Sequence, residues 1–346
     1  MVLGMDIDMK KAVLIFFMAA SLAACPVWAA SKKADHWYSK GVEAPSLEEK
    51  IEYFSKAIEI DPHHAEAYNN RGVAYQALGQ TDQAMADYTK AIEADPHYAR
   101  AHYNRGNLYF EKGMIPQALS DAASAIASNP QLFEAYLLRG NIYLNLEAYI
   151  PAIADYSKGL QIKPDSTDAI TNRGVAYHML GNYKEAIRDY TSALQLEPDS
   201  PSLLKYRGDA FFKLGKFKPA AADFTAAIEK DPGDKETFLL RGQAYRRLGN
   251  YKKAIDDFSK AIKLDTKFQN AFYQRGTAYI KQKQYNPAIK DLTNAIHLGE
   301  NDSLTRLALF NRGVAYLNLG ETEKAEADFC RACEMELGEG CTRCGK

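Results

Sequence analysis

The sequence predicts an all-α solenoid of stacked helical hairpins, and three observations carry that prediction. Pro62, Pro96, Pro130, Pro164, Pro198 and Pro232 stand 34 residues apart without a slip. An Arg-Gly pair keeps the same interval at Arg71-Gly72, Arg105-Gly106, Arg139-Gly140, Arg173-Gly174, Arg207-Gly208, Arg241-Gly242 and Arg275-Gly276. Between these marks the apolar residues fall at helical spacing, in two runs per period. A fixed period of this length belongs to repeat architectures, in which each unit buries its apolar face against its neighbours. At 346 residues, a globular chain divides into two or three domains; the repeat predicts one elongated domain instead. Solenoids bind along an extended surface and seldom do chemistry themselves.

The 43 Lys and Arg residues against 44 Asp and Glu leave a formal net charge of −1. That argues against nucleic acid as the main partner, because phosphate binding rests on clustered basic residues. The N-terminus reads as a targeting segment. Lys10-Lys11 precede the apolar run Ala12 to Ala24, which Pro26 breaks. This is the positive-then-apolar order of a secretory signal, too short for a membrane span. Two processing sites stay open. Val27-Trp28-Ala29 suits cleavage before Ala30, making 1–29 the signal peptide. Leu22-Ala23-Ala24-Cys25 resembles a bacterial lipobox, in which the signal ends at residue 24 and Cys25 is lipidated. Either way the expected mature chain is exported, as a periplasmic protein or an outer-membrane-anchored lipoprotein.

The hairpins follow in order. Residues 31–62 read as a degenerate hairpin that keeps Phe54, Ala57 and Asp61-Pro62. It has Lys50 where alanine is expected, and its first helix is cut short around Gly41 to Pro45. The unit 65–98 sets the full pattern: a first helix over Glu66 to Leu78, Gly79 as punctuation, and a second helix over Asp82 to Ala94. Asp95-Pro96 ends it, since proline cannot continue the hydrogen-bond ladder. The same unit recurs at 99–132, 133–166, 167–200, 201–234, 235–268 and 269–302. The eighth pair, Arg312-Gly313, comes after 37 residues, so three residues are inserted before the last unit at 306–338. Residues 339–346 form a cysteine-containing cap.

Small and aromatic residues recur for packing reasons. Gly72 and Ala84, with their equivalents in every full unit, let the two helices approach closely. Tyr75 and its equivalents fill space between hairpins. A large side chain at an alanine site overpacks the core, at a cost of roughly 1–3 kcal/mol. The repeated Gly, Tyr, Ala, aromatic, Ala, Pro order resembles the tetratricopeptide repeat family over eight full units from about Ala65 to Leu337. The resemblance implies a right-handed superhelical solenoid of about eight full hairpins plus one degenerate N-terminal hairpin. It implies further that the first helices line a concave groove holding a peptide or partner helix, and that the chain is not an enzyme.

Two positions go beyond the bare family pattern. All eight full units carry Arg before the glycine and Asp before the second-helix core position: Asp87, Asp121, Asp155, Asp189, Asp223, Asp257, Asp291 and Asp328. These read as partly buried structural ion pairs; the alternative is a ladder of charges facing a ligand. In some superhelical members of the family, asparagines preceding that arginine clamp a peptide backbone, offering both a donor and an acceptor. Here that position holds Asn70, Asn104, Asn172 and Asn311, but Leu138, Tyr206, Leu240 and Gln274 interrupt it. Tyr103, Asn107, Asn141 and Tyr273 complete the candidate groove residues, with Leu137, Asn145, Lys205 and Leu239 beside them. Such a mixture suits polar contacts that fix register and apolar pockets that add energy. The leucines serve equally well as hairpin packing.

Four cysteines lie near the end as C-x2-C-x7-C-x2-C: Cys330, Cys333, Cys341 and Cys344. If a short antiparallel helix begins near Gly340, nested pairing joins Cys333 to Cys341 and Cys330 to Cys344. The inner stretch resembles cysteine-rich bacterial helical repeats, in which a disulfide staples adjacent helices, and export favours oxidation. A four-cysteine zinc site and a redox dithiol remain open. His63, His64 and His97 fall at inter-hairpin turns, where exposed histidines are commoner than a metal site. The expected function is a cofactor-free protein-binding scaffold of the bacterial envelope, its partner unidentified. A lipid-anchored assembly factor for an envelope machine, such as a pilus or secretion complex, and a metal- or thiol-active protein are the alternatives.

Overall fold

The computed structural model describes residues 31–299, 302–335 and 344; the targeting segment with Cys25, and Cys341, lie outside them. Every regular element among the described residues is an α-helix, and none is long and apolar enough to cross a membrane. The residues form two units, divided between Pro164 and Asp165.

In the first unit α1 (31–43) pairs with α2 (Leu47–Ile60), α3 (Ala65–Ala77) with α4 (Thr81–Ala94), α5 (Ala99–Glu111) with α6 (Ile115–Ser128), and α7 (Phe133–Asn145) with α8 (Tyr149–Ile162). In the second, α9 (Thr167–Met179) pairs with α10 (Tyr183–Leu196), α11 (Pro201–Lys213) with α12 (Phe217–Lys230), and α13 (Lys235–Arg247) with α14 (Tyr251–Leu264). Then α15 (Gln269–Lys281) pairs with α16 (Tyr285–Leu298), and α17 (Ser303–Asn318) with α18 (Thr322–Glu334).

Local chemistry sets these boundaries. First helices end in a left-handed residue, Gly79 at φ +75°, after which Gln80 N–H donates to Tyr75 C=O at 2.8 Å. That conformation suits glycine, which carries no Cβ. Five second helices end at an Asx turn, as where Asp95 Oδ1 accepts from His97 N–H at 2.9 Å while Pro96 blocks continuation. The last unit departs from its repeat-defined start at residue 306. Its first helix has no Asp-Pro stop before it and extends back to Ser303, where Asp302 accepts from Thr305 N–H at 2.7 Å.

The glycines predicted to permit close approach each face a second-helix side chain. A Cβ on Gly72 would lie 2.7 Å from the Tyr88 ring, and one on Gly242 2.6 Å from Phe258. Both rings are fully buried. Gly106 differs because Ala122 stands at the ring position, so its Cβ would meet no ring, only Asp121 Cβ at 3.1 Å, Leu138 Cδ2 at 3.4 Å and the Ala118 carbonyl oxygen at 3.5 Å.

Helix contacts fix which side is the inner one. Within the first unit α3 touches α5 and α5 touches α7; within the second, α9, α11, α13, α15 and α17 touch in succession. The second helices of consecutive hairpins make no comparable contact among the described residues. In each unit the first helices therefore form the inner row.

Gly242→Ala is expected to destabilise by roughly 1–3 kcal/mol through overpacking, although alanine favours a helix over glycine by about 1 kcal/mol. Gly106→Ala, without a ring to displace, is expected to be near neutral. Denaturant unfolding of the two variants checks the contrast.

Candidate partner-binding face

The repeated arginine and aspartate meet as structural pairs. In all eight full hairpins Arg Nε and Nη2 donate to the two Asp oxygens at 2.7–2.9 Å, a bidentate fork. The aspartates are 3–8% exposed, which rules out the ladder of charges facing a ligand. The third arginine nitrogen reaches the hairpin before. Arg71 Nη1 donates to Ser55 at 2.9 Å, Arg241 to Thr225 at 3.1 Å, Arg275 to Ser259 at 2.9 Å and Arg312 to Thr293 at 2.9 Å. Sequence reasoning missed these hydroxyls, although a Ser or Thr follows most of the second-helix ring positions. Arg139 has Ala123 at that register instead. Burial pushes Arg241 towards losing its proton, but the hydrogen bonds and charge of Asp257 more than offset it and raise its pKa.

His102 is a second residue that the repeat pattern hid. It sits in α5 where other units have Tyr68, Tyr136, Phe238 or Phe272, and is 7% exposed. Its Nδ1 lies 3.2 Å from Asp121 Oδ1 and its Nε2 3.0 Å from Pro96 C=O. Two acceptors call for two N–H groups, so the imidazolium is favoured. The hydrogen bond to Asp121 raises the His102 pKa above its ordinary 6.5, against an opposing effect of burial. Burial alone would raise Asp121, but hydrogen bonds from Arg105 and His102 hold it below its usual range.

The candidate groove residues lie on the inner first helices and are largely engaged with one another. Asn104 Nδ2 donates to Asn69 Oδ1 at 2.8 Å, Asn69 Nδ2 to Asn70 Oδ1 at 3.0 Å, and Asn70 Nδ2 to Tyr38 Oη at 3.1 Å. Asn311 Nδ2 reaches Tyr273 Oη at 3.5 Å in the same register. Leu138 does not reach the surface: it is 4% exposed and fills the space between α5 and α7 against half-buried Tyr103. Asn141 accepts from the buried Tyr156 hydroxyl at 2.8 Å, and Asn107 donates to Glu111 at 2.8 Å. Tyr206 is 41% exposed, and Asn172 is half-buried on α9. Among the described residues on the inner helices of the second unit, Arg246 Nε and Gln274 Oε1 are buried without a hydrogen-bond partner, whereas buried His178 Nε2 on α9 lies 2.9 Å from Asp209 Oδ2. Burial lowers the Arg246 pKa, since no carboxylate neutralises it among the described residues.

Of the turn histidines, His64 caps α3 through Nδ1, which accepts from Ala67 N–H at 3.3 Å, and His63 and His97 are exposed. At the C-terminal end a disulfide joins Cys330 to Cys344, with Cα atoms 4.8 Å apart, and Cys333 is disulfide-bonded too. Sulfurs so bonded offer no thiolate to zinc.

Thr225→Val, which removes the acceptor from Arg241 while keeping shape, is expected to cost about 1 kcal/mol, and Ala123→Val, beside Arg139, close to nothing. Equilibrium unfolding distinguishes them. The raised His102 pKa means that its contribution to stability is complete below the ordinary value and fades as pH rises through the folded value. An NMR titration is expected to find His102 titrating above 6.5, and lower in Asp121→Asn.

Comparison with known proteins gives the same repeat. Family models described as Tetratricopeptide repeat match residues 65–98 and 167–200, 206–267 and 273–335, 87–120, and 133–166; one described as TPR repeat matches 46–79. An uncharacterized protein of Methanocaldococcus jannaschii is 41% identical over 56 residues; the match spans 15% of this chain and 65% of that relative's length. The C-terminal part of a TPR repeat-containing protein from Cytophaga hutchinsonii aligns with TM-score 0.61 at 17% identity, over 70% of this chain and 100% of that one. Pseudomonas aeruginosa pilF aligns with TM-score 0.51 at 19% identity, over 60% of this chain and 94% of its own. At these identities both solved structures speak to the fold alone. The chain belongs to the tetratricopeptide repeat family, whose members serve as protein–protein interaction scaffolds.

Proposed function

We propose that this chain is a non-enzymatic scaffold of the bacterial cell envelope that holds an extended peptide or partner helix along the inner row of first helices. The observation that carries the groove is the exposed apolar surface on that row in the second unit, where Tyr206 and Met179 are 41% and 57% exposed. On the same row half-buried Arg246 has no carboxylate to neutralise it among the described residues, and its guanidinium suits a peptide C=O. No step in this reading needs a cofactor. Envelope location is supported by Lys10-Lys11 and the apolar run that follows, and by the oxidised Cys330–Cys344 pair. The cysteine tail serves as a covalent cap at the end of the last hairpin.

The groove is tested by placing a photo-crosslinking residue at Asn104 or Gln274, on the inner row, and at Lys90 or Lys260, on exposed second-helix positions, in the exporting host. A partner captured from either inner position supports the reading; capture only from the outer positions overturns it. Location is tested by the intact mass of the protein made in a Gram-negative host. A start at Ala30 or a lipidated Cys25 is expected, with four alkylatable cysteines of the tail appearing only after reduction. An unprocessed chain with free thiols contradicts export.

A further inference from the structure

The near-zero net charge of the chain conceals a local excess. In three consecutive hairpins of the second unit, the turn from first to second helix is rich in lysine and arginine and holds no carboxylate. Residues 213–219, joining α11 to α12, contain three cations; residues 247–253, joining α13 to α14, contain three; residues 281–287, joining α15 to α16, contain two. In every other full hairpin the same segment carries an acidic residue, at Asp82, Glu111, Glu147, Glu185 or Glu321. The excess is confined to one edge of three neighbours whose first helices touch in succession.

Helix chemistry explains only some of these charges. Lys213, Arg247 and Lys281 stand in the last turns of α11, α13 and α15, where a cation complements the negative end of the helix. Lys218, Lys252 and Lys253 stand in the first turns of α12 and α14, which carry no acidic residue. There, at the positive end of the helix, a cation is disfavoured. All six side chains are exposed and make no ion pair among the described residues, whereas Lys205, Lys230 and Lys235 of the same hairpins pair with Asp234, Asp199 and Asp265. Like charges gathered in this way repel one another, so the cluster points to an anion that neutralises it.

Apolar surface accompanies the charge. Half-buried Phe217, Tyr251 and Tyr285 open α12, α14 and α16 on the same edge, and Arg247 lies 4.9 Å above the Phe217 ring. Leu248, 38% exposed, walls an open groove of about 490 Å³ together with Ala221, Ala222, Tyr245 and Lys218. Aromatic rings and leucine set among lysine and arginine match side chains that sit at a membrane–water interface. Lipid headgroups also move laterally to meet cations on separate turns, whereas an acidic peptide must carry its carboxylates at matching intervals. We propose that this edge, the turns α11–α12, α13–α14 and α15–α16, docks onto a bilayer surface of anionic phospholipid headgroups. The proposal goes beyond the groove: it uses the helix ends, not the inner row, and stands whether or not a peptide occupies that row.

The test uses the full chain as the exporting host processes it, with vesicles of phosphatidylcholine and of phosphatidylglycerol. Tighter binding to phosphatidylglycerol, weakened by added salt, is expected. Lys213→Gln, Lys218→Gln, Lys252→Gln and Lys253→Gln together are expected to keep the melting temperature and weaken that binding by roughly a hundredfold or more, since each cation at an anionic surface is worth about fivefold. Glutamine at Lys90, Lys158, Lys260 and Lys290, exposed on second helices, is expected to change it by no more than about threefold, because the attraction fades within a Debye length. Acetylation footprinting by mass spectrometry is expected to find Lys213, Lys218, Lys252 and Lys253 shielded by phosphatidylglycerol vesicles and Lys90 not. It reads the site directly even where a lipid on Cys25 anchors the chain to both vesicles. Equal shielding by the two vesicles, an equal loss from the two sets of substitutions, or tighter binding to poly-glutamate or a DNA oligonucleotide than to phosphatidylglycerol overturns the proposal. Cross-linking at Gln274 reports on the groove independently of these results.

Discussion

The bidentate pair of arginine and aspartate is the interaction on which the rest of the structure depends. Each arginine stands on a first helix and each aspartate on the second helix of the same hairpin, with both oxygens engaged. Burying two charges is costly unless geometry and remaining hydrogen bonds are satisfied. Here the third arginine nitrogen finds a hydroxyl on the preceding hairpin, as Arg241 does on Thr225. One side chain therefore ties helix to helix and hairpin to hairpin, and the ring at Tyr245 lies beside the same guanidinium. A solenoid is held by intrinsic hairpin stability and nearest-neighbour interfaces, and the arginine belongs to both.

Around that clamp the hairpins are not identical, and the differences are physical rather than decorative. The second full hairpin has Ala122 in place of a ring and His102 in place of an apolar residue, so its aspartate carries two cationic partners. Arg139 lacks a hydroxyl at the usual register because Ala123 stands there. The turns of the fifth, sixth and seventh full hairpins gather cations and hold no carboxylate. Such local changes let a uniform backbone present a non-uniform surface, as a specific partner demands.

Much of this was legible in the sequence. The 34-residue interval fixed the hairpins, and helix ends fell within a residue or so of the glycine and Asp-Pro marks, as at Ala77 and Ala94. The start of the last unit was misplaced because its three inserted residues carry no stop and join the helix at Ser303. The ion pair was anticipated from two residues that never vary. The hydroxyl was overlooked because it alternates between Ser and Thr, and His102 because a single exception is invisible to a periodic reading. The groove was the least legible part. Asn70 and Asn104 look free in a sequence, yet Asn69 and Tyr38 take up their hydrogen bonds, and Leu138 faces inward to fill a gap beside Tyr103. Arg246 gave no signal at all, since its isolation is a property of what does not surround it.

A scaffold of this kind works by holding its inner row still, and the clamp is what holds it. The most direct measurement is hydrogen exchange, read by mass spectrometry, on Arg241→Met beside the unaltered chain. Loss of amide protection concentrated in α12, α13 and α14, with α17 and α18 unchanged, is the result expected if each arginine couples its own hairpin to the one before. Unchanged protection in α12 to α14, or an equal loss in every helix, would contradict the central role given to the arginine clamp.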